Sequence, residues 1–228
     1  VVSVFVNPTQ FNNSSDLEKY PRTLGKDQEL LSNAGVSVLF YPSVDEVYPT
    51  NQSPTYQLDG LDDFMEGPNR PGHFNGVVQV VSRFFDVVLP DMAVFGEKDF
   101  QQLAILKHMS AKLGYGIKVI GCPTLREKSG LAMSSRNQRL SHNGLTVAAA
   151  IHAVLTTLED ELKSGMATSK AKENAVRTLN SIENLELEYL ELVNPDNLRP
   201  VSEDTSAIQA CIAAWVEEVR LIDNMRVK

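Results

Sequence analysis

Along the first half of the chain, strongly apolar runs alternate with short polar turns. Val1-Val-Ser-Val-Phe-Val6 is nearly all apolar and β-branched, as a strand buried on both faces of a parallel sheet requires. After a short acidic segment Pro21 breaks the chain, Thr23 is placed to cap a helix carrying Leu30, Leu31 and Ala34, and Gly35 ends it. Val36 to Tyr41 is the next strand, and strand, helix, strand predicts a right-handed parallel crossover. The polar stretch from Pro49 to Pro54 is a loop. Val77, Val78, Val81, Phe84, Phe85 and Val88 then recur at helical spacing, with Pro90 after them. Met92 to Phe95 is a short strand ending at Gly96, Leu103, Leu106, Met109 and Leu113 lie on one face of a helix that Gly114 stops, and Ile117 to Cys122 is strand-like.

Past Arg136 the pattern changes. Ala148, Ile151, Leu155, Leu158 and Leu162 mark one long helix, and Ala175, Val176, Leu179 and Ile182 a shorter one. Glu186 to Val193, Ala207 to Val216 and Val219 to Met225 read as strands, the middle one alternating through Ile208, Ala210, Ile212, Ala214 and Val216. Helices followed by strands predict a smaller α+β domain over residues 125–228, after an α/β domain over 1–124 with a doubly wound, Rossmann-like parallel sheet. There is no internal repeat and no low-complexity tract.

Composition narrows the function. The 228 residues are 43% hydrophobic and 22% charged, ordinary values for a globular chain, and no apolar run approaches the roughly 20 residues a membrane span needs. A net charge of −8 and a pI near 5.0 argue against a nucleic-acid partner, because phosphate backbones are bound through clustered Lys and Arg. Cys122 and Cys211 lie far apart and form no C-x-x-C pattern, which fits a reducing compartment and offers no zinc site.

Two polar turns carry the candidate chemistry. In Gly96-Glu97-Lys98-Asp99, a strand gives way to a helix, where unpaired N–H groups, the helix dipole and the Lys98 charge together favour a polyphosphate. Asp99 and Gln102 are spaced to close a capping box, and on their own the three residues read equally as plain caps and a solvated lysine. The second turn, Met133-Ser134-Ser135-Arg136-Asn137, gathers two hydroxyls, an amide and a fixed cation; arginine's planar fork suits phosphate oxygens and serine hydroxyls donate to them. Alone it also reads as a polar loop capping the next helix. Two such turns, each after a strand, define a nucleotide-phosphate site. Asn7-Pro-Thr-Gln10 follows the first strand at the rim where open α/β sheets bind ligands, and the Gly60 to Gly76 loop contributes Arg70 and His73 as candidates without a fixed role. The P-loop, G-x-G-x-x-G, H-E-x-x-H and G-x-S-x-G signatures are absent from the sequence.

Phe95-Gly-Glu-Lys-Asp-Phe-Gln-Gln-Leu103, Leu131-Ala-Met-Ser-Ser-Arg-Asn137, Phe5-Val-Asn-Pro-Thr-Gln-Phe11, Tyr20-Pro-Arg-Thr23, Arg70-Pro-Gly-His-Phe-Asn-Gly-Val77 and Arg220-Leu-Ile-Asp-Asn224 resemble, in order and from end to end, the pantothenate synthetase (pantoate–β-alanine ligase) family. The resemblance implies a nucleotidyltransferase-type fold and a cytoplasmic, homodimeric ligase that joins pantoate to β-alanine through a pantoyl-adenylate, using ATP and Mg²⁺. It implies ATP binding by Gly96, Glu97, Lys98, Asp99, Leu125, Met133, Ser134, Ser135 and Arg136, with Lys98, Ser134 and Arg136 catalytic. Asp99 would meet a ribose hydroxyl and the Leu125 backbone the adenine. Gln10 and Gln102 would bind pantoate and Gln10 also β-alanine, while no residue is assigned to the metal. Family members carry, before the position of Val1, a strand, a loop with His-x-Gly-His and a helix, whose histidines help stabilise adenylation. None of the four histidines here lies in such a motif. The sequence therefore reads as a fragment, expected to be inactive or nearly so by itself and, with its first strand left at an open edge, not to persist as a monomer. Two other readings compete with the ligase: a nucleotidyltransferase acting on a phosphorylated acceptor, and a module that binds ATP without turnover.

Overall fold

The computed structural model describes residues 1–11, 17, 18, 20–49 and 54–228; the middle of the loop expected over Pro49 to Pro54 lies outside them. The chain forms two compact units. The first comprises Val1–Asp59, Gly67–Ala93 and Ile105–Val119, the second Gly60–Glu66, Val94–Ala104 and Ile120–Lys228. All of 125–228 thus falls in the second unit, joined there by 60–66, 94–104 and 120–124.

In the first unit β1 (Val2–Ser3) pairs in parallel with β2 (Leu39–Phe40) across α1 (Leu24–Asn33), the expected strand, helix, strand. Only two residues of each apolar run enter the ladder, so both strands are shorter than the runs that predict them. Gly35 follows α1 with φ of 74°, a left-handed conformation that a Cβ disfavours. Thr23 stands at the N-cap, yet its hydroxyl reaches Asp27 Oδ1 at 3.3 Å instead of capping the backbone. The short α2 (Val44–Val47) is closed by a reciprocal capping box in which Ser43 and Glu46 satisfy each other's backbone N–H groups. The main helix, α4 (His73–Val88), follows α3 (Glu66–Asn69) and buries Phe74, Val77, Val78, Val81 and Phe85. Its Phe84 ring stands edge-on to Phe5 and Phe40, centroids 5.8 and 5.3 Å away.

β3 (Met92–Gly96), α5 (Phe100–Lys112) and β4 (Lys118–Cys122) follow, β3 pairing with β4. The architecture is α/β with a smaller α+β part, its N-terminal strands standing as two two-stranded sheets.

The second unit is built on an antiparallel sheet, β5 (Leu185–Val193), β6 (Gln209–Val216) and β7 (Val219–Arg226), with β6 central. α6 (His142–Lys163) and α7 (Thr168–Asn180) cover one face, where Ile208, Ala210, Ile212, Ala214 and Val216 of the predicted alternation meet Ile151, Leu155, Leu158, Leu162, Ala175 and Leu179. β5 holds this face by an irregularity. Leu185 and Leu187 point inward on odd positions, the register shifts at Glu188, and Leu190 and Leu192 point inward on even ones. A one-residue bulge is what lets both pairs reach the same core. The opposite face packs Cys211, Val193 and Leu198 against Met65, with Leu61, Phe64, Phe100, Ala104 and Tyr189 around them. Both cysteines are free, and burial pushes the Cys211 thiol well above its ordinary value. Among the described residues no helix is long and apolar enough to cross a membrane.

Leu158 is fully buried at the centre of the α6–sheet core. Leu158→Ala should cost about 2–5 kcal/mol of unfolding free energy, measured by urea denaturation; a loss below about 1 kcal/mol would show that this core is not packed as described.

Candidate nucleotide site

β3 delivers the first turn. Glu97–Asp99 is a 3-10 turn that runs straight into α5 at Phe100, with Gly96 at the N-cap position and no side-chain cap. Asp99 therefore lies inside the helical run, and the expected Asp99–Gln102 capping box gives way to a tightened first turn. A Cβ placed on Gly96 would meet nothing within 4 Å, so the protein's own packing does not demand glycine and the space before it is open. Glu97 leans on β4: its Oε1 would lie 2.8 Å from a Cβ on Gly121. The carbonyls of Glu97 and Lys98 both accept from Asn224 Nδ2, at 2.9 and 2.8 Å. Among the described residues the Lys98 ammonium has no hydrogen-bond or ion-pair partner.

The second turn is the continuation of a hairpin that the sequence pattern did not reveal. Met133 N donates to Leu125 O at 2.9 Å, Arg126 bridges to Ala132, and Glu127 N donates to Leu131 O at 2.8 Å. Leu125 and Met133, eight residues apart in sequence, are thereby neighbours. Gly130 makes the reversal with φ of 89°, and a Cβ there would strike the His152 ring at 2.5 Å. Ser134 then caps a 3-10 turn over Ser135–Arg139, its Oγ accepting from Arg136 N at 3.2 Å, which leaves the hydroxyl proton for a ligand. Asn137 Nδ2 donates to Ala132 O at 3.0 Å, while its buried Oδ1 has no hydrogen-bond partner among the described residues. Both turns, Glu97–Asp99 and Ser135–Arg139, pack against β7, so Lys98 and Arg136 stand on loops held by one strand.

Three clusters that support these turns were not legible as site residues. Arg126 forks onto Asp223, Nη1 to Oδ2 at 2.7 Å and Nη2 to Oδ1 at 3.0 Å, and also donates to Gly130 O. Beside it His152 has a lowered pKa, chiefly through burial and then the nearby Arg126 charge, and its buried Nδ1 has no hydrogen-bond partner among the described residues. Gln101, next to the predicted Gln102, is buried and ties down the 60–66 segment: its Nε2 donates to Leu61 O and Phe64 O, and its Oε1 accepts from Glu66 N. Glu66 in turn accepts from Arg220 Nη1 and Nη2 at 2.9 and 2.7 Å and from the Tyr189 hydroxyl at 2.7 Å, and Arg220 also pairs with Glu188. Burial, then Glu66, raises the Tyr189 pKa far above its usual range. Burial by itself would lower Arg220, but its bonds to Glu66 and Glu188 outweigh that and hold it charged.

Gln102 belongs to the second unit and Gln10 to the first. Gln10 closes a 3-10 turn over Pro8–Gln10 capped by the Asn7 side chain. Its carbonyl lies 2.9 Å from His73 Nδ1 and 3.5 Å from Arg70 Nη2. A carbonyl only accepts, so His73 must carry its proton on Nδ1. Arg70 and His73, left without a role by the sequence, thus hold the backbone of Gln10. Asn7 Nδ2 adds bonds to Gly76 O at 2.9 Å and Gln10 Oε1 at 3.4 Å. Gly76 permits the approach, since a Cβ there would lie 2.5 Å from Thr9 O and 2.9 Å from Gln10 N.

Two polar turns braced by one strand sit in an α/β enzyme of nucleotidyltransferase-like fold carrying a smaller domain, the fold that its structural relatives share. The family model of pantoate-beta-alanine ligase matches residues 1–226. The chain is 46% identical to the pantothenate synthetase of Cytophaga hutchinsonii over 228 residues, covering 99% of this chain and 81% of that protein. Pantothenate synthetase from Thermus thermophilus superimposes with a TM-score of 0.94 at 40% identity, covering 99% of this chain and 82% of its own. The pantoate-beta-alanine ligase of Francisella tularensis, solved with beta-gamma ATP and beta-alanine, gives 0.80 at 32% identity over 99% and 78% of the two chains. The chain belongs to the pantoate–β-alanine ligase family.

Two outcomes follow from this geometry. Gly76→Ala sets a methyl group against backbone that cannot rotate away, and should lower unfolding free energy by about 1–3 kcal/mol in denaturant titration; a neutral result would refute the close approach. His152 is held neutral in the fold, so the unfolded chain binds its proton more readily. The stability that neutral His152 contributes is complete above about pH 6.5 and is lost as pH falls through the lowered folded value. Melting temperature should drop between pH 7 and pH 5, and His152→Gln should flatten that slope; an unchanged slope would assign the drop to other groups.

Proposed function

We propose that this chain forms the amide bond of pantothenate from pantoate, β-alanine and ATP. A pantoate carboxylate oxygen attacks the α-phosphorus, the bond to the pyrophosphate oxygen breaks, and the β-alanine amine then attacks the acyl carbonyl of the pantoyl-adenylate and expels AMP. The chemistry needs in-line placement and neutralisation of the departing pyrophosphate charge more than a protein nucleophile. The observation that carries the reading is the bracing of the Lys98 turn and the Ser134–Arg136 turn on the same strand, β7.

In this reading Lys98 and Arg136 supply the positive charge, Ser134 and Ser135 donate hydroxyl bonds, and the open space before Gly96 admits the phosphates. Glu97 and Asp99 complete the turn, Asp99 at a ribose hydroxyl. The Leu125 carbonyl, which already accepts from Met133 N, keeps a second lone pair for the adenine amino group. Gln10 and Gln102 hold pantoate, and Gln10 also β-alanine, through neutral amides that leave a reacting carboxylate its charge. Mg²⁺ arrives as part of the substrate MgATP. Among the described residues no group of three or more His, Cys, Asp or Glu could hold a metal ion. When bound it shields the phosphate charges. We place the enzyme in the cytoplasm as a homodimer, the latter checked by light scattering.

AMP release by the protein should require pantoate and β-alanine together. Release that ignores β-alanine, or that proceeds with a phosphate-ester acceptor, would sink the ligase reading. Lys98→Ala should weaken binding of an ATP analogue about tenfold or more by calorimetry, the loss of one charge-assisted contact.

A further inference from the structure

Arg220-Leu-Ile-Asp-Asn224 is a matched motif to which the ligase chemistry assigns no role, and it occupies the strand against which both polar turns rest. Successive residues of a strand leave on opposite faces. Asp223 pairs across the ladder with Ile212 of the helix-covered face, and Asn224 with Cys211 of the other. The two neighbours therefore reach different loops. Asp223 takes both arms of the Arg126 guanidinium, and through it the hairpin that joins Leu125 to Met133. Asn224 donates both Nδ2 hydrogens to the consecutive carbonyls of Glu97 and Lys98. Its orientation is fixed from behind: Gln209 Nε2, itself buried, donates to Asn224 Oδ1 at 2.8 Å, so reversing the amide would set its one oxygen against two carbonyls and its NH2 group against that of Gln209. Asp223 Oδ1 also accepts from Asn224 N at 2.8 Å, which links the two grips.

Holding Lys98 by its main chain leaves the ammonium uncommitted among the described residues. A side chain that merely filled the sheet would need neither the doubled donation nor a buried glutamine to orient it. We propose that Asn224 and Asp223 are positioning residues of the nucleotide site, Asn224 setting the Lys98 turn against the triphosphate and Asp223, through Arg126, setting the Leu125 hairpin against the adenosine. The inference rests on the reading of the two turns as an ATP site.

Equilibrium binding to the 228-residue chain, with the β,γ-imido analogue of ATP and with adenosine as probes, tests it. Asn224→Asp keeps the shape and removes both donors. It should raise the dissociation constant of the imido analogue about tenfold and that of adenosine by a clearly smaller factor, about twofold to threefold, because the released turn meets adenosine only through Asp99 at the ribose while Lys98 meets the phosphates. In the double variant with Lys98→Ala the loss should be no greater than for Lys98→Ala alone, since Asn224 acts through that lysine. Asp223→Asn should weaken both probes by a similar factor. A general loosening of the fold would move the two probes together in every variant, and that pattern, or an Asn224→Asp chain binding the imido analogue as tightly as the parent, would overturn the proposal. Asn224→Ser, which cannot span two carbonyls, carries the same test should the aspartate variant not fold. Analogue binding that Lys98→Ala leaves unchanged would remove the ATP reading and this inference with it, whereas dependence on Lys98 without dependence on Asn224 would remove this inference alone.

Discussion

The period of two along β7 is the constraint on which the placement of both polar turns of the second unit depends. Because Asp223 and Asn224 must leave the strand on opposite faces, a single segment anchors a hairpin on one side of the sheet and a helix entrance on the other. The two anchors differ in kind. Asp223 is almost wholly buried, and the bidentate guanidinium satisfies both of its carboxylate oxygens. Asn224 is neutral and satisfied at both ends of its amide, so it fixes backbone position without adding charge beside Lys98. Both grips are on main chain or on a remote arginine, so the side chains proposed to meet phosphate are spared.

The first unit follows the same rule with other residues. His73, Arg70 and Asn7 spend their donors on the carbonyl of Gln10 and the backbone around it. Gly76 lets α4 come close enough for this, a contact any side chain would forbid. In each unit the fixed element is the backbone of a short 3-10 turn, and the positioning groups come from far along the chain.

How much of this was legible depended on the range of the interaction. The helices over His73–Val88, Phe100–Lys112, His142–Lys163 and Thr168–Asn180 announced themselves because their apolar spacing is local, and β6 did so through a clean alternation from Ile208 to Val216. The two polar turns also stood out. β5 hid a bulge at Glu188, since a shift of inward parity shows only against a partner strand. The capping bonds drawn for Thr23 and for Asp99 did not form, because the first hydroxyl found Asp27 and the second residue was absorbed into a 3-10 turn. Gln101, Asp223 and Asn224 were invisible as supports for a different reason: their partners lie tens of residues or more away, and no periodicity encodes who meets whom across that distance. Arg70 and His73 were singled out by motif, and only the fold gave them something to hold.

The arrangement around Arg220 carries a consequence of its own. One guanidinium lies between Glu66 and Glu188, two carboxylates that the bulge and the 60–66 segment bring to the same spot. Take that cation away and the buried Glu66 would face the more exposed Glu188 with no positive charge between them. A chain altered at this position alone would lose the tie between β5, β7 and the 60–66 segment, so a single side chain couples the two outer strands of the sheet to the loop that Gln101 also holds.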